Sequence, residues 1–239
     1  MTDAAKTPAL SVRGVSGGYG AAIVVKNVDL IVPEGRVVAV LGKNGMGKTT
    51  LLKMIMGFLP LHQGDVHLFG SRIDGEPPYL IARRNIAFCP QEQPLFQDLT
   101  VGENLRLGLF DDDAFEAKLA KVGVHFPFLP ERLRQRAGTL SGGEQKMLIV
   151  ARGLMASPRI MLIDEITEGL QPSVIERLAH VLAEQRRTEG TAILLIEQHV
   201  TFALAIADEY AVLNQGEFVD RGPANTADAA ERINRHLSI

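Results

Sequence analysis

The sequence has no tryptophan, a single cysteine and three tyrosines among 239 residues, and each scarcity removes a class of protein. One thiol, Cys89, makes no internal disulfide, so packing must hold the fold, and a reducing compartment is expected. No stretch of about 18 apolar residues runs uninterrupted, which argues against a membrane-spanning helix. The beginning, Met1-Thr2-Asp3-Ala4-Ala5-Lys6-Thr7-Pro8, lacks the basic start and apolar run of a secretory leader. An excess of charge is missing too: the formal net value of −3 gives no support to a nucleic-acid binder or an anionic-membrane binder. A soluble chain is expected, one that exerts any membrane role through a partner.

What the chain does have is apolar surface. With 46% hydrophobic and 22% charged residues it can bury enough to offset its conformational entropy, so disorder is excluded. The length suits one large domain, or a core with a smaller lobe. Val24 to Val32 alternates loosely and breaks at Pro33-Glu34-Gly35, the pattern of a strand and a turn. Arg36-Val37-Val38-Ala39-Val40-Leu41 is a short continuous apolar run that reads as a strand buried on both faces. The runs Arg159 to Ile163 and Thr191 to Ile196 share that character. Between them, Val174, Leu178, Val181 and Leu182 recur at helical spacing from Pro172 to Arg187. Strand, helix, strand with both strands buried predicts a parallel sheet. Glu92 to Ser141 differs: a capping box of Thr100 and Glu103 precedes Leu105, Leu107 and Leu109, and a second helical segment spans Asp113 to Val122. This predicts a helical insertion in an α/β core.

Gly42-Lys43-Asn44-Gly45-Met46-Gly47-Lys48-Thr49 matches G-x-x-x-x-G-K-[ST] and sits between a buried strand and the helical segment Thr49-Thr50-Leu51-Leu52-Lys53-Met54-Ile55. Glycines let successive backbone N–H groups point inward at phosphate oxygens, and the helix start adds its positive dipole end. Lys48 then reaches the outer phosphates, and Thr49 offers a hydroxyl to Mg²⁺. Ile160-Met161-Leu162-Ile163-Asp164-Glu165 is an apolar strand ending in two carboxylates. Asp164 is the candidate for holding Mg²⁺, and Glu165 for orienting or deprotonating a water that attacks a γ-phosphate. Leu140-Ser141-Gly142-Gly143-Glu144-Gln145 reads as a capped helix start with bared backbone, a second anion site; in isolation it would be an ordinary cap.

With these motifs in this order the sequence resembles the ATP-binding cassette ATPases over nearly its whole length, Leu140 to Gln145 matching their signature. The resemblance implies a phosphate-loop NTPase (RecA-like) α/β core with a small antiparallel β subdomain and an inserted helical subdomain. The whole of 1–239 then forms one ATPase domain, with 1–91 and 151–239 as the core and 92–150 as the helical subdomain. It implies ATP and Mg²⁺ as cofactors and a head-to-tail dimer. Each nucleotide would touch the phosphate loop (Gly42 to Thr50) of one subunit and Ser141, Gly142, Gly143 and Glu144 of the other. Tyr19 matches the aromatic residue that stacks on adenine, and Gln91 the glutamine that touches Mg²⁺ or the attacking water. The residue contacting the γ-phosphate from the 198–199 region is either Gln198 or His199. Cys89 reads as a small core residue. Two positions depart from the family pattern: Ile166 stands where proline is common, and Gln171 where many members have aspartate.

What the resemblance implies for function is the nucleotide-binding subunit of an importer, resembling the branch that serves branched-chain or other hydrophobic amino acids and amides. Its partners would be integral-membrane permease subunits, a second ATPase subunit, identical or paralogous, and indirectly a solute-binding protein. It would sit peripherally on the cytoplasmic face of the membrane, with no nucleic acid bound. Apolar residues between Leu95 and Leu109 are candidates for docking on the permease. A soluble cassette ATPase acting on ribosomes or nucleic acid is the alternative, although such proteins usually carry two cassettes or a long coiled-coil insertion, and only about 50 positions separate Gln91 from Ser141. A phosphate-loop kinase would explain Lys48 and Asp164 and leave the signature unexplained.

Overall fold

Three strands of the sheet at the centre are so apolar because each is covered on both sides, and their residues divide by parity between two cores. In the computed structural model, which describes residues 7–92 and 95–237, the chain runs β1 (Leu10–Tyr19), β2 (Ala22–Val32), β3 (Val37–Leu41), α1 (Lys48–Ile55), β4 (Leu61–Leu68), β5 (Ser71–Arg72), α2 (Pro78–Ala82) and β6 (Ile86–Cys89). It continues through α3 (Val101–Arg106), α4 (Phe115–His125), α5 (Phe128–Glu131), α6 (Gly142–Met155), β7 (Ile160–Asp164), α7 (Pro172–Glu189) and β8 (Ala192–Glu197). The last elements are α8 (Val200–Ile206), β9 (Glu209–Asn214), β10 (Glu217–Pro223) and α9 (Ala229–Leu237). Residues 1–6, read above for a leader, lie outside the described residues.

A six-stranded sheet has the order β10-β9-β3-β8-β7-β6, parallel throughout except for the antiparallel β9–β10 pair. Successive side chains of a strand face opposite ways. Val37, Ala39 and Leu41 of β3, Met161 and Ile163 of β7, and Ile193 and Leu195 of β8 therefore join a core shared with α6, α7 and α8. Val38, Val40, Ile160, Leu162, Leu194 and Ile196 face the other core, shared with α1 and a second sheet. That second sheet is antiparallel, of order β2-β1-β4-β5. The predicted parallel sheet and the implied antiparallel one are thus both present.

The segment between β6 and β7 carries α3 to α6. Thr100 caps α3 through a reciprocal box with Glu103, as predicted, but the helix closes at Arg106, so Leu107 and Leu109 fall beyond it. The predicted segment from Asp113 is a short 3-10 turn leading into α4, which carries on to His125. Pro172 at the first position of α7 and Gly190 just past its end, at φ 67°, bound that helix. No helix among the described residues is long and apolar enough to cross a membrane.

Candidate functional site

In a parallel sheet all strands end at one edge, so the turns that follow them meet there. The 42–47 loop follows β3, Gln91 follows β6, Asp164 and Glu165 end β7, Glu197 and Gln198 end β8, and the Gln215-Gly216 turn follows β9. The loop closes onto α1 through Gly47, whose φ of 102° disfavours any side chain and whose missing Cβ would press on Val24. Gly42 has a different reason: a Cβ there would lie 2.5 Å from the Leu213 carbonyl. The Gly216 N–H donates to the Met46 carbonyl at 3.1 Å, tying the loop to the turn after β9. The first N–H groups of α1 have no partner within the helix.

Lys48 is 3% exposed, and its ammonium meets three acceptors within the chain: the Gly42 carbonyl at 2.7 Å, the Lys43 carbonyl at 2.9 Å and Glu165 Oε1 at 2.9 Å. Glu165 is equally buried; its Oε2 accepts from Gln91 Nε2 at 2.8 Å, and the same nitrogen donates to Glu168 Oε2 at 3.0 Å. A continuous polar chain therefore runs Lys48–Glu165–Gln91–Glu168. Glu165 also adopts φ 46°, a conformation rare outside glycine, with its N–H donating to the Ile196 carbonyl at 2.9 Å.

Asp164 shares strand parity with Ile160 and Leu162, so it faces the α1 side, where Thr49 lies in the first turn of the helix. It is 1% exposed and neither oxygen finds a hydrogen-bond donor of good geometry. Burial pushes its carboxyl up to about 6; the neighbouring charge of Glu165 adds to the shift, while Thr49 and Lys48 oppose it. Two orphaned, buried carboxylate oxygens beside a threonine hydroxyl form a hard oxygen donor set, which fits a hydrated divalent cation. Among the described residues there is no cluster of three or more His, Cys, Asp or Glu able to hold a metal by itself, so such an ion would also need neutral donors such as the Gln91 amide, substrate or water.

The two adjacent candidates beyond β8 go different ways. Gln198 Nε2 donates to Asn44 Oδ1 of the phosphate loop at 2.5 Å. His199 caps α8, its Nδ1 accepting from the Phe202 N–H at 3.1 Å. Glu197, which the sequence reading did not single out, is 2% exposed and accepts from the Thr167 N–H at 3.1 Å, the Thr167 hydroxyl at 2.8 Å and the Gln198 N–H at 3.2 Å. Its signal in the sequence was a charge closing an otherwise apolar strand. An open cavity of about 520 Å³ lies against Asn44, Glu165, Glu168, Glu197, Gln198 and His199. A slightly larger one, about 550 Å³, opens at the opposite edge of the sheet between α4 and α7. Its cations are occupied: Lys118 with Ser157, Lys121 with Glu189, Arg159 with Glu34.

Tyr19 closes the β1–β2 hairpin opposite Ala22 with its ring 49% exposed, on the hairpin whose Val24 packs at Gly47. Ser141 caps α6 in a reciprocal box: its hydroxyl oxygen accepts from the Glu144 N–H at 3.3 Å, and Glu144 Oε2 accepts from the Ser141 N–H at 2.9 Å. That backbone bond, with Arg132 at 2.8 Å, holds the Glu144 carboxyl below its ordinary range. A Cβ on Gly142 would meet nothing within 4 Å, and one on Gly143 would meet Val174 of α7. Cys89 is buried, and burial pushes its thiol up to about 12, so it is an inert core residue. Ile166 is buried in the core, and Gln171 precedes α7 without a side-chain cap.

Residues 25–168 match the family model described as ABC transporter. The branched-chain amino acid transport ATP-binding protein BraG of Pseudomonas aeruginosa is 40% identical over 219 residues, covering 90% of this chain and 94% of its own. The probable branched-chain amino acid transport ATP-binding protein LivF of Archaeoglobus fulgidus is 36% identical, covering 88% and 90%. A nucleotide-free ATP-binding cassette from an ABC transporter superposes with a TM-score of 0.84 at 23% identity, over 95% of each chain, which shows the fold.

Proposed function

This chain belongs to the ABC transporter family and is an ATPase subunit of it, and on that premise we propose that it powers an importer of branched-chain or other hydrophobic amino acids or amides. The named relatives, similar over nine-tenths of their length, support the transport reading over a soluble cassette on ribosomes or nucleic acid. The observation that carries the chemistry is the buried chain Lys48–Glu165–Gln91, set beside the two unpaired oxygens of Asp164.

Lys48 holds the outer phosphates of ATP, exchanging Glu165 for a phosphate oxygen. Glu165, released at Oε1 and still held by Gln91 at Oε2, accepts a proton from a water molecule whose oxygen forms the new bond to the γ-phosphorus as the bond to ADP breaks. Asp164, Thr49 and Gln91 would hold Mg²⁺, which would supply charge neutralisation for the phosphate being transferred. Gln198, beside Asn44, reaches the γ-phosphate side of the loop; His199 is committed to its helix. Tyr19 stacks on adenine.

Ser141, Gly142, Gly143 and Glu144 belong to a second half-site. They face the phosphate held by the loop of a partner ATPase subunit, so that nucleotide joins the two and hydrolysis releases them. Permease subunits supply the membrane passage, a solute-binding protein delivers cargo, and this subunit sits on the cytoplasmic face. Of the apolar residues between Leu95 and Leu109, Phe96 and Leu107 are exposed and available for docking on the permease, whereas Val101 and Leu105 are buried. The test is uptake of labelled leucine, isoleucine, valine and small amides by cells deleted for this gene. Loss of one uptake activity, restored by the wild-type chain and not by Lys48→Ala, is the expected result; uptake of all of them at parental rates would overturn the cargo assignment.

A further inference from the structure

We propose that Glu197 is a positioning residue for ATP hydrolysis: with Thr167 it clamps the loop after β7 to the end of β8 and holds Glu165 in its strained, reactive placement. The proposal rests on the reading of Glu165 as the water-activating carboxylate.

Glu165 sits at φ 46°, and a non-glycine residue keeps such a conformation only where its surroundings over-determine it. One restraint is the bond from its N–H to the Ile196 carbonyl. The other lies two residues on, where Thr167 gives both its N–H and its hydroxyl to the two oxygens of Glu197. Because Glu197 also accepts from the Gln198 N–H, one carboxylate fixes three things: the exit of the Glu165 turn, the end of β8 and the residue that reaches Asn44. All three donors point at acceptor oxygens, a pattern that a carboxylate satisfies in full. An amide would turn N–H groups toward one of those donors. Glu197 belongs to the same strand face as Ile193 and Leu195, and although it lines the same cavity as Asn44 its hydrogen bonds go to Thr167 and Gln198 and none to Lys48 or the phosphate loop. Its effect on chemistry therefore passes through Glu165 and Gln198, and ATP binding by Lys48 and the loop is left intact.

The experiment compares wild type, Glu197→Ala and Thr167→Val by phosphate release, by ATP titration calorimetry and by amide hydrogen exchange. Expected are a fall in kcat of about tenfold or more in each variant, from the loss of buried hydrogen bonds to a charged acceptor, with ATP affinity within about threefold of wild type. Exchange should accelerate across 165–170 and stay unchanged across 43–50. In a Glu165→Gln background, adding Thr167→Val should lower turnover no further, since this variant leaves the Glu197–Gln198 bond in place and removes only the half of the clamp that acts through the Glu165 carboxylate already replaced. Thr167→Val keeps the size of the residue and decides the matter if Glu197→Ala does not fold. Overturning results are kcat within about twofold of wild type at normal ATP binding, an equal further loss in the Glu165→Gln background, or unchanged exchange at 165–170. A wild-type protein that binds ATP without hydrolysing it would defeat the proposed function instead, and the exchange comparison would still decide for or against the clamp.

Discussion

The two places in this chain built to receive phosphate are finished to different degrees. At the phosphate loop the buried ammonium and the carboxylate beyond it are matched inside the chain, Lys48 by two carbonyls and Glu165, and Glu165 by Lys48 and Gln91, with the oxygens of Asp164 alone left unpaired. At the tip of α6 the capping box satisfies only its own helix, and the space in front of Gly142 is empty. The first region is a closed device that a ligand must open. The second is a capped helix start with open space before its first glycine. On the proposed reading the complete site is shared between two chains, so damage to the two halves should be separable.

The sharpest contrast comes from Lys48→Ala. It leaves Glu165 buried without its cation, and stranding one member of a buried pair costs about 3–5 kcal/mol. Both thermal stability and ATP turnover should collapse, the latter by more than about a hundredfold, as read by calorimetry and phosphate release.

Gly142→Asp should do the opposite to stability. At the first position of α6 an acidic side chain favours the helix by about 0.5 kcal/mol, and it has room. Placed against a γ-phosphate it repels, so ATP-dependent pairing and turnover should fall about a hundredfold while the melting temperature holds or rises. A variant that loses stability and activity together would erase the distinction between the halves.

Within the closed half, Gln198→Ala should lower turnover by about tenfold at unchanged stability. His199→Ala should leave turnover near wild type and cost about 1 kcal/mol through the lost cap of α8. The reverse pattern would hand the γ-phosphate contact to the histidine.

The last effect concerns pH and stability without nucleotide, and leaves turnover aside. The folded-state pKa of Asp164, raised by burial to about 6, lies above the unfolded value. Its contribution to stability is therefore fully present below the unfolded pKa and lost as pH rises through about 6. Asp164→Asn should accordingly be more stable than wild type at pH 7.5, by up to about 3 kcal/mol, with the gap shrinking toward pH 5 in melts without nucleotide.

The difference between the regions also explains what could be read from sequence. The phosphate loop, the paired carboxylates of β7 and both capping boxes are local patterns, set by neighbours within a few residues, and they stand out in the chain. The bond from Gln91 to Glu165 and the ion pair from Lys48 to Glu165 join positions far apart in sequence, and nothing but the sheet order brings them together. Gln198 and His199 could not be told apart because both are polar and adjacent; the fold sends them different ways, Gln198 to Asn44 and His199 to the start of α8. The antiparallel sheet came through the resemblance alone, since β1 shifts register between Val12 and Val15 and again near Gly17, which breaks the alternation that marks a strand.

The central claim is that nucleotide is gripped from both sides, and the structure of the intact transporter with ATP bound to its Glu165→Gln form tests it directly. Ser141, Gly142 and Gly143 should lie within hydrogen-bonding reach of the γ-phosphate held by the loop of the partner ATPase subunit. If those residues face solvent while ATP fills the Lys48 loop, the account is wrong.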